Sequence, residues 1–124
     1  MKFIISDNTP LPNRFGKWFY WHDRDIKTHE DKETLTLYHG YAIDDGRTLE
    51  DYIEEGELPT DLNGNFSIVR LRKNSLTASV DHFSQNRIYY RDNGDGFSLT
   101  NRMYLLPFKN KDIDWVKIDR YQEL

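Results

Sequence analysis

The chain has 124 residues, with 17 Lys and Arg against 21 Asp and Glu, so its net charge is −4 and its length suits one domain over residues 1–124. The acidic balance argues against a nucleic-acid-binding protein, which generally needs a basic face. Cysteine is absent, which excludes disulfides, thiolate metal sites and a cysteine nucleophile, and fits a cytoplasmic protein. No apolar run approaches the roughly 18 residues of a membrane span, and no signal peptide is visible, so we expect no membrane association.

The first third of the chain predicts short strands separated by loops. In chain order we expect a strand at 3–5, a loop over 7–16, an aromatic strand at 17–21, a solvated polar connection over 22–33 and an alternating strand over 34–43. In the last of these, Leu35, Leu37 and Tyr41 fall on one face. Aromatic residues make up 15% of the chain, so large rings are expected to fill a small core.

Residues 48–55 predict a short helix. Thr48 is a suitable N-cap, with Asp51 in the capping-box position. Leu49, Tyr52 and Ile53 form an apolar stripe along one side of the helix. Gly56 ends the helix, since glycine is favoured just after a helical C-terminus.

The second half predicts a run of antiparallel strands. A hairpin is expected from 65–72 and 76–80, a second pair from 87–91 and 97–100 around a turn at 92–96, and a last strand over 112–119. The fold class is therefore α+β, mainly antiparallel β-sheets with one clear short helix (48–55). The expected core includes Phe66, Ile68, Leu76, Val80, Ile88, Tyr90 and Phe97.

Acidic residues are concentrated in residues 44–57, which hold seven acids and one base, Arg47. Such a run is usually a solvated helix face. The alternative is a docking surface for a basic partner, formed by Glu50, Glu54 and Glu57.

Two polar clusters contain residue types used in catalysis or metal binding. The stretch 22–33 holds imidazoles and carboxylates, but their spacing matches no compact metal site, so a solvated segment is the preferred interpretation and no metal is expected. Asp81, His82 and Ser84 are the residue types of a nucleophilic triad, but neighbours on a strand face opposite ways. His39-Gly40 suggests either an oxyanion contact or, preferably, a β-bulge at Gly40.

Residues 61–68 contain the pattern Leu-x-Gly-x-Phe. Residues 81–90 contain an Asp, an aliphatic residue and a Tyr pair at the spacing of Arg-Asp-x-x-Gly-x-x-Pro-Leu-Tyr-Tyr. In order and spacing, residues 35–106 resemble the class II glutamine amidotransferase domain of asparagine synthase-like proteins. The resemblance implies a shortened, degenerate N-terminal nucleophile (Ntn) hydrolase fold.

The departures from this family concern its catalytic site. Lys2 occupies the place of the catalytic cysteine, which in the family follows the initiator Met. His39 replaces the oxyanion-hole Asn, although Gly40 is kept, and Val80 replaces the Arg that precedes Asp81. The segment that holds the amino-acid end of glutamine is missing, and no phosphate-cradling loop or cofactor motif is present.

The resemblance and its departures together predict a catalytically inactive domain that acts as a structural or protein-interaction subunit. Its partner would be a protein, and by analogy a separate ATP-dependent amide-forming synthetase. One alternative is a small acidic protein-binding module unrelated to amide synthesis. Another is a residual Ntn-type hydrolase that uses Ser6, Thr9 or Ser84.

Overall fold

The computed structural model describes residues 1–44, 46–59, 62–83, 85–92, 94–105, 115–119 and 121–124. Short strands, an α-helix and a 3₁₀ turn make up the elements within these ranges. In order they are β1 (Phe3–Ser6), β2 (Asn13–Phe15), β3 (Trp18–His22), β4 (Lys27–Glu30), β5 (Leu35–Ile43), α1 (Leu49–Glu54), β6 (Asn63–Leu71), β7 (Leu76–Val80), β8 (Ile88–Asp92), β9 (Phe97–Thr100), a 3₁₀ turn (Met103–Leu105), β10 (Val116–Ile118) and β11 (Tyr121–Glu123).

The strands form two antiparallel sheets. One is six-stranded in the order β10-β8-β9-β1-β3-β2, and the other is five-stranded in the order β11-β7-β6-β5-β4. Strand β1 lies inside the first sheet, paired with β3 and β9, so the N-terminus is anchored by hydrogen bonds on both sides. The long pair β5–β6 keeps one register from Leu35–Leu71 to Ile43–Asn63 and forms the backbone of the second sheet.

The main core lies between the two sheets, because alternate side chains of each strand point to the same face. Phe3 and Ile5 of β1 are buried against residues of the second sheet, including Leu37 of β5 and Val69 of β6. Burying these apolar side chains is the principal favourable term in folding the pair of sheets. The sheets therefore pack face to face around one core.

Helix α1 covers the opposite face of the five-stranded sheet. Thr48 accepts a hydrogen bond from the Asp51 N–H, and the Asp51 carboxylate accepts one from the Thr48 N–H, which completes the expected capping box. Leu49 and Ile53 are buried against Tyr38, Phe66 and Ile68 in a second apolar cluster. A helix of 6 residues is not stable alone, so this contact holds it in place.

Most predicted elements are confirmed. The 65–72/76–80 hairpin is β6–β7, the 87–91/97–100 pair is β8–β9, and the antiparallel α+β class holds. The expected core residues are buried, except that Tyr90 is half-buried at the edge of the main core. Tyr41, expected on the same face as Leu35 and Leu37, is 60% exposed because it lies beyond the end of that core.

Two expectations about elements are wrong. The predicted loop over 7–16 contains β2, and the predicted solvated connection over 22–33 contains β4. Strand β11 was not expected at all. The last predicted strand, 112–119, is confirmed only as β10, and its residues 112–114 lie outside the described ranges.

Candidate functional site

A cleft of about 590 Å³ opens at the end of the molecule where β1 begins. It lies between the N-terminus, the middle of β5, and the segments that lead into β8 and follow β9. Its described lining consists of Met1, His39, Gln85, Asn86, Arg87, Tyr89, Asn101, Arg102, Met103 and Tyr104. The volume lies in the usual range for small-molecule sites, about 300–1,000 Å³.

Two acids hold the N-terminus at the cleft. The Met1 amine lies 3.1 Å from Asp23 Oδ2 and 3.8 Å from Asp25 Oδ2, and the Lys2 N–H donates to Asp23 Oδ2 at 3.0 Å. Partial burial acts to raise the pKa of Asp23, but the hydrogen bonds from the terminal amine and the Lys2 N–H outweigh it, so the pKa is lowered. Asp23 is therefore ionised at neutral pH, and the amine is already engaged in an ion pair.

Asn101 joins the N-terminus to the end of β9. Its Oδ1 accepts a hydrogen bond from the Phe3 N–H at 2.9 Å, and its Nδ2 donates to the Met1 carbonyl at 2.8 Å. The residue is buried, with 7% of its surface exposed. Since both ends of the amide are satisfied, Asn101 positions the first three residues along the cleft wall.

His39 is the most deeply buried titratable side chain in the described cleft lining, at 5% exposed. It stands opposite Ser67 across the β5–β6 pair, and neither His39 Nδ1 nor Ser67 Oγ has a hydrogen-bond partner in the residues that the structure describes. Burial lowers the pKa of His39 below its ordinary 6.5, and the charges of the terminal amine and Arg102 lower it further, partly opposed by Asp23 and Asp81. The imidazole is therefore neutral at pH 7.

Asp81 is fully buried beneath the cleft and organises the segment that forms its wall. Its carboxylate accepts hydrogen bonds from the backbone N–H groups of Phe66, Gln85 and Asn86, at 3.2, 2.8 and 3.4 Å. It also accepts one from Asn86 Nδ2 at 3.1 Å. Asp81 therefore has a structural function, which is to hold the backbone of residues 85–86 against β6.

The other two predicted family-site residues flank the same region. The Lys2 ammonium lies 5.7 Å from the centre of the Tyr104 ring at the cleft rim. Gly40 has φ +95°, and a Cβ there would lie 1.9 Å from the Asn65 carbonyl oxygen, so only glycine fits. The β5–β6 register is continuous through Gly40, so the expected β-bulge is wrong.

The triad candidates Asp81 and His82 have different contacts. Asp81 bonds to backbone N–H groups, and the His82 ring packs edge-on against Phe83 at 4.8 Å. Ser84 lies outside the described residues.

The remaining hydrolase candidates are Ser6 and Thr9. Ser6 Oγ is buried, donates to the Phe97 carbonyl at 3.1 Å and lies 3.1 Å from Ser98 Oγ. The Thr9 N–H donates to that same hydroxyl oxygen at 3.1 Å. Both residues stabilise the start of the loop after β1 and neither lines the cleft.

The polar stretch 22–33 forms no metal centre in the part of the chain that the structure describes, where no group of three or more potential ligands meets. His22 Nδ1 lies 2.7 Å from the Asp23 carbonyl oxygen, and His29 lies within β4. Two carboxylates of this stretch, Asp23 and Asp25, form ion pairs with the Met1 amine.

The acidic surface consists of Glu50, Glu54 and Glu57, and two of the three have intramolecular partners. Lys27 Nζ lies 3.3 Å from Glu50 Oε1, and Arg47 Nη2 lies 2.8 Å from Glu57 Oε2 and also pairs with Glu55. The acidic charge of this surface is therefore smaller than the sequence suggests.

Sequence reasoning did not place Arg87, Asn101 and Arg102 in the cleft. Asn101 fell within a matched family segment, but nothing in its neighbours indicated a bond to a residue 100 positions away. Isolated arginines next to strands are common on protein surfaces, so no local pattern distinguished these two.

Comparison with protein-family models finds no match to this chain, and a search of curated proteins finds none either. Within the described ranges, no helix is long and apolar enough to cross a membrane.

Proposed function

We propose that this protein is a catalytically inactive glutamine amidotransferase-like domain of the Ntn-hydrolase type that acts as a structural or interaction subunit. The observation that carries the proposal is the composition of the cleft at the N-terminus. Its described lining includes no Ser, Thr or Cys, and Lys2 stands where the family resemblance requires a nucleophile.

The arrangement of the family-site positions supports the same proposal. His39 lines the cleft, Asp81 braces its wall, and Lys2 contacts Tyr104 at its rim. These positions are separated by up to 79 places in the sequence, yet they surround one cavity. A cleft that is kept without its nucleophile fits a domain that binds a partner or ligand and does not catalyse a reaction.

The nucleophile position also has no free amine in this structure. In an Ntn mechanism the α-amine of the nucleophilic residue itself accepts the proton. At Lys2 that nitrogen belongs to the peptide bond with Met1, and its N–H donates to Asp23 Oδ2 at 3.0 Å. Position 2 therefore offers neither the nucleophile nor the base in this structure.

The interaction surface in this proposal is the acidic surface of Glu50, Glu54 and Glu57. A basic protein partner, by analogy an ATP-dependent amide-forming synthetase, would displace the intramolecular partners Lys27 and Arg47. Exposed ion pairs contribute only about 0–1 kcal/mol each, so the exchange is not costly.

A glutaminase assay tests the loss of activity. Purified protein incubated with glutamine should release no glutamate above the buffer blank, and Lys2→Ala should give the same result. Glutamate release by the wild type that Lys2→Ala abolishes would show that the N-terminus is catalytic and would overturn the proposal.

A further inference from the structure

The cleft is locally basic although the chain is acidic. Arg87 and Arg102 lie in its wall, and among the described lining residues there is neither Asp nor Glu. No carboxylate pairs with either arginine in the described parts of the chain; the Arg102 guanidinium donates to the Asn101 carbonyl at 2.9 Å. Two arginines in the lining of one cavity, without carboxylate partners in the described residues, form a candidate site for an anion.

A buried imidazole belongs to the same lining. His39 is 95% buried and is one of the residues that line the cleft. Its Nδ1 is shielded from solvent and lacks a hydrogen-bond partner in the described residues, so the rest of the ring is the part that a ligand in the cleft could reach.

The cleft is also lined by aromatic and apolar side chains. Tyr89, Tyr104 and Met103 line it, and Tyr104 and Met103 are 67% and 44% exposed. Large exposed rings beside paired cations suit a flat, apolar ligand body attached to an acidic group.

We propose that this cleft binds a small organic phosphate with an aromatic body, with Arg87 and Arg102 holding the phosphoryl group and Tyr89 and Tyr104 contacting the ring. The phosphoryl dianion matches two guanidinium charges, and its oxygens accept the paired N–H donors of each guanidinium. His39 bonds to the part of the ligand that reaches the cleft floor. This ligand site goes beyond the proposed interaction role and does not depend on it.

Calorimetric titration of the full chain with phenyl phosphate tests the proposal. The wild type should bind one equivalent, and Arg87→Gln and Arg102→Gln should each weaken the affinity about tenfold, the usual effect of removing a charge-assisted hydrogen bond. Lys32→Gln is the matched control, because it removes one exposed positive charge between β4 and β5, outside the cleft lining, and it should change the affinity less than about twofold.

Three further ligands test which parts of phenyl phosphate the cleft recognises. Inorganic phosphate and benzyl alcohol should each bind more weakly than phenyl phosphate, because each lacks one half of the recognised structure. Benzoate should also bind more weakly, since it carries one charge. Benzoate binding more tightly than phenyl phosphate would overturn the phosphoryl assignment, and equal binding of inorganic phosphate would overturn the aromatic contact.

A His39→Phe variant separates the site from the fold. Phe keeps an aromatic ring and removes both ring nitrogens, including the buried unpaired Nδ1, so the midpoint of thermal unfolding should not fall, while phenyl phosphate affinity should fall severalfold. No heat of binding with the wild type, or binding unchanged in His39→Phe and in both arginine variants, would overturn the proposal.

Discussion

His39 combines burial with a titratable ring, and this makes the stability of the fold sensitive to pH. Its pKa is lowered in the folded state, so as the pH falls below about 6.5 the unfolded chain takes up a proton before the folded chain does. The stability contributed by the neutral imidazole is therefore complete above pH 6.5 and decreases as the pH falls towards the lower, folded-state pKa.

The first prediction follows from this linkage. The midpoint of thermal unfolding of the wild type should fall between about pH 7.5 and about pH 5, and His39→Phe should reduce that fall because the variant has no proton to take up at this position. Asp23 and Asp31, whose pKa values are lowered, lose their stabilising effect only at more acidic pH, below about 4. An equal fall in both proteins would show that another group is responsible.

Asn101 is the second residue with a measurable structural effect. Asn101→Ala removes the acceptor of the buried Phe3 N–H, and an unpaired buried amide costs about 1–3 kcal/mol. Urea denaturation should therefore show a loss of unfolding free energy in that range. Asn13→Ala, at an exposed position of β2, is the control and should change it by less than about 0.5 kcal/mol. Equal effects of the two variants would contradict the assignment of Asn101.

At the scale of elements, helix α1 and the five-stranded sheet depend on each other. Phe66 is fully buried in the cluster that joins the helix residues Leu49 and Ile53 to the sheet residue Ile68. The capping box contributes only about 1 kcal/mol to the helix, so the helix also needs this packing.

Phe66→Ala should therefore lower the unfolding free energy by about 3–5 kcal/mol, because the substitution removes apolar contacts and leaves a cavity. Phe83→Ala, which truncates a ring that is 70% exposed, is the matched control and should have little effect. Chemical denaturation of the two variants beside the wild type measures both values. A Phe66→Ala midpoint equal to that of Phe83→Ala would show that the core assignment is wrong.

The elements that sequence reasoning missed share one position in the fold. Strands β2, β4 and β11 each lie at the edge of a sheet, and most of their side chains are exposed. An edge strand of three or four residues is held by backbone hydrogen bonds to one neighbour, so its sequence need not alternate. The central strands β5 and β6 bury one face against the other sheet and the other against the helix, and they were predicted for that reason.

The cleft was partly predictable. Lys2, His39 and Asp81 were singled out through the family resemblance and lie around it, whereas Arg87 and Arg102 had no sequence signal. Their common location depends on β1 pairing with both β3 and β9, a set of contacts spanning most of the chain. Long-range pairing of this kind is set by the whole topology and leaves no trace in local residue spacing.

At the scale of the whole molecule, the acidic surface and the arginines of the cleft lie on different faces. Tyr38 points towards helix α1 while His39 points towards the cleft, since neighbours on a strand face opposite ways. The acidic surface beside the helix and the arginines of the cleft are therefore on opposite sides of the five-stranded sheet. Two binding functions can occupy one small domain without sharing residues.

The last prediction concerns the acidic surface and a protein partner purified with the chain from its native host. Glu50→Lys, Glu54→Lys and Glu57→Lys together should leave the fold intact, because these side chains are exposed and their ion pairs contribute about 0–1 kcal/mol each. The triple variant should bind the partner more weakly than the wild type. Wild-type association should slow between about 0.1 M and about 1 M NaCl, as the Debye length falls from about 10 Å to about 3 Å.

The arginine variant Arg87→Gln is the control for this experiment, since it alters charge on the opposite face and should leave partner association unchanged. Co-purification of an amide-forming synthetase would support the family analogy, and an unrelated partner would favour the independent binding module. Partner binding that is indifferent both to the triple reversal and to salt would show that the acidic surface only keeps the protein soluble, because an electrostatic contact must respond to at least one of them.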